Sequence, residues 1–88
     1  MPYIEAHRRM PLLGGETPRT PGELNFIITA LVARYLGPHA RYSGFNEAIG
    51  VLECAKQELY RRILAPYEDT KLGEHGDVYG AITNQTSR

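Results

Sequence analysis

The densest run of recognition side chains is Glu58-Leu59-Tyr60-Arg61-Arg62-Ile63-Leu64-Ala65-Pro66-Tyr67-Glu68-Asp69-Thr70-Lys71. Two Arg, two Tyr, one Lys and three acids gather around one proline. Arginine forks suit phosphate and carboxylate, and tyrosine rings stack while their hydroxyls hydrogen-bond. Such residues wall nucleotide-like pockets. They equally build polar subunit interfaces, or a solvated helix face laced with ion pairs. Tyr60, Arg61, Arg62, Tyr67 and Lys71 are therefore the candidate ligand-binding residues, with Arg8 and Arg9 joining from the N-terminal segment if it folds across them. Glu58 precedes Arg61 and Arg62 by three and four residues. On a helix it can hold one arginine while the other reaches past Pro66. A fresh helix start at Pro66 would add free amides that attract anions, with Glu68 and Asp69 competing for them.

Other chemistry finds less material. The sequence has no phosphate-binding glycine loop ending in Gly-Lys-Ser/Thr and no dinucleotide-binding glycine fingerprint. It also lacks a nucleophile elbow and a His-Glu-x-x-His zinc motif. His7, His39 and His75 stand apart in Pro/Gly-flanked or terminal stretches and read as loop histidines rather than metal ligands. Cys54, the single cysteine, excludes an internal disulfide framework and reads as a small buried hydrophobe beside Ala55. Glu74 to Gly80 reads as a tight loop that docks Tyr79 back onto the helices, with too few oxygen ligands for calcium. The expectation is a protein that is not an enzyme, with no cofactor and no metal.

The elements that must position these residues are helical. Thr20 is a good N-cap, Pro21 fits the first helical position, and Glu23 completes a capping box. Leu24, Ile27, Ile28, Leu31 and Tyr35 then follow the 3–4 spacing of a buried stripe. Gly37 and Pro38 stop the helix, which spans 21–36. A second helix over 44–65 begins at Ser43 and carries Phe45, Ala48, Ile49, Leu52, Ala55, Leu59 and Ile63 on one face. Gly50, a poor helix residue, marks a close approach between helices or room for a ligand. Pro66 ends or kinks this helix and starts a short third one, closed by Gly73. Residues 1–20 read as an extended arm, broken by Pro2, Pro11, Gly14, Gly15 and Pro18. Its apolar Tyr3, Ile4, Met10, Leu12 and Leu13 call for cover along a helical body.

The fold class is therefore all-α. An antiparallel helical hairpin carries a short third helix and an extended N-terminal arm, and copies assemble as a homo-oligomeric bundle. Residues 1–80 form one domain, with 81–88 a flexible polar tail. At 88 residues a single core is marginal, so association between copies is the expected source of extra burial. A dimer is the minimal state, with Phe26, Val32, Val51 and Leu64 lining the contact. Ten basic and ten acidic residues give zero net charge, which removes the bulk argument for nucleic acid. They are unevenly spread: residues 1–41 hold five Arg against three Glu, and residues 66–88 hold four acids against Lys71 and Arg88. No segment approaches the ~20 apolar residues of a membrane span. The opening five residues lack the pattern of a secretory signal, so the expected setting is cytoplasmic.

Several strings carry a resemblance. Gly22-Glu23-Leu24-Asn25, the run Asn46 to Lys56, Glu58 to Arg62, Ala65 to Asp69, Lys71, and Gly76-Asp77-Val78-Tyr79 resemble a family of small phage and prophage proteins of unknown function. The opening Met1-Pro2-Tyr3-Ile4 resembles it too, and the similarity covers residues 1–80. The resemblance implies a viral origin and a host-cell cytoplasmic setting, and it supplies no chemistry. In that setting the leading expectation is a non-catalytic binding protein that sequesters a small anionic ligand, such as a nucleotide signal of host defence. The alternative is an adaptor or inhibitor that grips a host or virion protein.

Overall fold

The computed structural model describes residues 3–82 and is helical throughout its regular elements. Helix α1 spans Ala6–Leu13, α2 spans Pro21–Leu36 and α3 spans Tyr42–Leu59. A π-helical segment, Tyr60–Leu64, runs directly into α4, Ala65–His75. A helical turn at 80–82 reaches into the stretch 81–88 expected as polar tail, and the remainder of that expectation, 83–88, falls outside the described residues. The chain divides into two compact units, Met1–Ile49 and Gly50–Arg88.

The first unit holds the buried residues. Ile4, Leu12 and Ala48 are its core, and Leu12 is 1% exposed. Two of these three come from the segment expected to be an extended arm. That expectation is corrected: the arm folds into α1, which packs on α2. Pro11 lies inside α1 and leaves one backbone donor missing from a short helix. Tertiary contacts outweigh that loss. Leu12 is buried, the Arg9 Nε donates to the Ile4 carbonyl oxygen at 2.8 Å, and Arg8 is clasped by two glutamates.

Helix α2 follows its sequence signals. Thr20 Oγ1 accepts from the Glu23 amide at 3.1 Å, and Pro21 opens the helix. The Glu23 carboxylate does not return to the cap residue's own amide. It accepts from the Arg19 amide at 2.9 Å and takes both prongs of Arg8, at 2.9 and 3.1 Å. These bonds, Arg8 first and the Arg19 amide second, pull the Glu23 carboxyl down to about 2. At the other end Gly37 sits at φ 75°, where a side chain would be strained, and its amide closes on the Ala33 carbonyl.

Helix α3 starts at Tyr42, two residues before the predicted start, so Ser43 is inside it rather than capping it. A Cβ on Gly50 would meet nothing within 4 Å, which corrects the expected close approach there. The nearer contact is at Gly44, whose added Cβ would lie 3.5 Å from Leu36 Cδ2.

Candidate functional site

The short helix expected from Pro66 is α4, which begins at Ala65, but the helical path runs into it from the π segment without a gap. Leu64 and Ala65 both keep right-handed helical dihedrals, and the Ala65 amide donates to the Tyr60 carbonyl, five residues back. A proline ring inside an α-helix clashes with the carbonyl four residues earlier. The wider π turn just before Pro66 relieves that clash and lets the helix continue. Gly73 is passed as well, and the helix ends at Gly76 with φ 81°. The free amides expected at Pro66 are therefore absent, because no helix N-terminus opens there.

The π turn also rephases the apolar face. It holds one residue more than an α turn, so it rotates everything downstream by about 100°. Leu52, Ala55 and Leu59 keep the 3–4 spacing of one stripe. The next members, Ile63 and Tyr67, come at steps of four and four, and the extra residue keeps both on the stripe. Leu64 is carried onto its flank by the same rotation.

The result is an apolar hollow of about 900 Å³ within the second unit. Leu59, Tyr60, Ile63, Leu64 and Tyr67 line it, together with Lys56 and Arg61. The walls are left uncovered: Ile63 is 64% exposed, Leu59 and Tyr67 58%, and Leu64 44%.

The seven predicted site residues divide into three groups. Tyr60, Arg61 and Tyr67 line the hollow. Tyr60 donates its hydroxyl to Glu68 Oε1 at 3.0 Å, which holds its proton more tightly than usual. Arg61 has no ion pair or hydrogen bond with any described residue. Arg62 and Lys71 belong to the same unit but do not line the hollow. Arg62 is paired with Glu58, as expected of one of the two arginines. The Lys71 ammonium lies 3.4 Å from Glu74 Oε1 and 5.6 Å from the centre of the Tyr67 ring. Arg8 and Arg9 lie in the first unit, where the clasp and the Ile4 carbonyl use them as structure.

The sequence reading missed Lys56, Leu59, Ile63 and Leu64 as site residues. Their signal was a stripe whose step changes from 3–4 to 4–4 just before a proline. One further expectation is corrected: Cys54 is exposed rather than buried. Glu53 is held below its usual range by hydrogen bonds from Lys56 first and then Gln57. Among the described residues, no three His, Cys, Asp or Glu side chains gather where they could hold a metal, and no helix is long and apolar enough to cross a membrane.

A family model described as Domain of unknown function (DUF6899) matches residues 1–78. The chain belongs to this family. The match spans both units and says nothing of a phage. No curated protein and no solved structure matches the chain.

Proposed function

We propose that the protein is a non-catalytic binding protein whose hollow at the π segment receives an apolar, acid-flanked segment of a partner protein. The supporting observation is the mixture of side chains that line the hollow. Five large apolar or aromatic side chains are uncovered around the π turn, with Lys56 and Arg61 beside them. At about 100 Å² for each half-exposed side chain of this size, the patch is roughly 500 Å², the upper end of what monomers expose without a partner. Arg61 is free to meet a carboxylate, whereas Arg62 and Lys71 already face acids of their own helix. A viral origin rests on the resemblance of the motifs.

One observation favours the small-anion reading: Arg61 shares the hollow with two tyrosines. A single pair of experiments separates the two. A photo-cross-linking residue placed at Tyr60 in producing cells gives an adduct with a heterologous protein, and Leu64→Glu and Arg61→Glu each abolish it. A thermal-shift screen with nucleotides, cyclic dinucleotides included, gives no stabilisation. A bound nucleotide at ~100 times its dissociation constant would add ~2.7 kcal/mol, and that result would replace the protein partner with a small anion. Adducts that persist in both variants would refute the site.

A further inference from the structure

The first unit has a hollow of its own, about 330 Å³ in volume, at the small end of the ~300–1,000 Å³ of ligand pockets. Leu12 and Leu13 of α1 line it with Ile27, Ala30 and Leu31 of α2, and the Gly15 backbone joins them. Leu12 is buried, Ile27 and Ala30 are half-buried, and Leu13 and Leu31 are exposed. Arg34 is the one polar side chain of the lining. It has no ion pair or hydrogen bond with any described residue. The acids close by in the chain are spoken for. Glu16, which follows Gly15, is held by Arg8 and Arg19, and Glu23, one turn before Ile27, by Arg8 and the Arg19 amide. The turn beside the hollow spends its own donors: the Gly14, Gly15 and Glu16 amides close on the Met10, Leu12 and Pro11 carbonyls at 2.9, 3.1 and 3.0 Å. Arg34 also sits in the last turn of α2, where any cation suits the helix dipole. That role needs neither a guanidinium nor a hollow beside it.

We infer that this hollow binds an aliphatic monocarboxylate, with the carboxylate on the Arg34 guanidinium and the chain against Leu12, Ile27 and Leu31. Charge selects the head. A guanidinium fork matches a carboxylate with two parallel hydrogen bonds. One cation balances one negative charge, whereas a phosphate monoester near −2 at neutral pH leaves charge unmatched beside apolar walls. The lining selects the tail. It offers no ring to stack on and no second donor, so a sugar or a base finds nothing there to meet its polar groups. Volume sets the length. At the ~30 Å³ that a water molecule takes in the liquid, about 330 Å³ holds on the order of ten non-hydrogen atoms, which leaves about seven carbons beyond the carboxylate.

Octanoate titrated into the isotope-labelled full chain and followed by two-dimensional NMR tests this, with octanol as the uncharged probe. Octanoate is expected to shift the amide signals of Leu13, Gly15, Ala30 and Leu31 along a saturable curve. Octanol is expected to bind at least about tenfold more weakly, because it lacks the charged hydrogen bonds to Arg34. Arg34→Gln is expected to raise the octanoate dissociation constant about tenfold and leave that of octanol unchanged. Arg34→Lys, which keeps the charge and loses the fork, falls between the two. Ala30→Leu fills the hollow and is expected to abolish the saturable shifts. If that variant does not fold, the two Arg34 variants, at an exposed position, decide in its place. Leu64→Glu, in the hollow of the other unit, leaves octanoate binding unchanged, so this inference and the proposed partner site fail separately. Shifts that do not saturate, or that fall on Leu59, Ile63 and Leu64 instead, overturn the inference. So does equal affinity for octanoate and octanol. An Arg34→Gln variant that melts at a lower temperature yet binds octanoate as the wild type does also overturns it, and leaves Arg34 as a helix-end cation.

Discussion

Leu12→Ala is the sharpest test of the finding that the N-terminal segment is core. The substitution removes three carbon atoms from a side chain that is 1% exposed. At ~0.8 kcal/mol per buried methylene, the transfer loss is about 2.4 kcal/mol. The space left behind adds to that. It adds modestly, because a hollow of about 330 Å³ lined by Leu12, Leu13, Ile27 and Ala30 already borders the site. The expected cost is about 3 kcal/mol, toward the low end of buried Leu→Ala changes. A chain of 88 residues has about 4–13 kcal/mol in total. Leu12→Ala should therefore lower the melting temperature by about 12–24 °C. Leu13, its neighbour, is 50% exposed, and Leu13→Ala should cost about 1 kcal/mol. Urea unfolding followed by circular dichroism, at one fixed protein concentration, measures both. Equal and small losses at the two positions would refute the reasoning, since an arm that lies loosely on α2 makes no distinction between them.

The Glu23 clasp predicts an acid transition. Its carboxyl is lowered in the folded chain, so the stabilisation is complete above the ordinary carboxylate range and is lost as pH falls from about 4.5 toward about 2. Glu23→Gln should remove that part of the acid unfolding curve and leave the rest; a curve unchanged in this window would show that the clasp is not coupled to folding. Gly50→Ala should stabilise the protein by about 0.5–1 kcal/mol in thermal melts, since nothing occupies the Cβ position and alanine is the better helix residue. Gly37→Ala, at φ 75°, should destabilise by about 1 kcal/mol, and the same sign at both glycines would contradict their assigned roles.

The elements that depend on neighbouring residues were determined by the sequence. Thr20, Pro21, Glu23 and Gly37 fix α2 at 21–36 because a cap, a first-position proline and a left-handed glycine act within one turn of themselves. The absence of strands among the described residues follows from the 3–4 spacing of the apolar residues in the same way. The pairing of Glu58 with one arginine is equally local, since it spans a single helical turn. Two of the prolines read as breakers, Pro11 and Pro66, lie within helical stretches instead. Pro11 stays helical because Leu12 and Arg8 are anchored in the first unit. Pro66 stays helical because a π turn takes up the clash, and that turn, rather than a free helix end, shapes the hollow. The pairing of Arg8 with Glu23 is set by how α1 lies on α2, whereas Arg9 binds the Ile4 carbonyl five residues away. Residue types and spacing show that an arginine will find an acid. Which acid it finds depends on packing between elements distant in sequence.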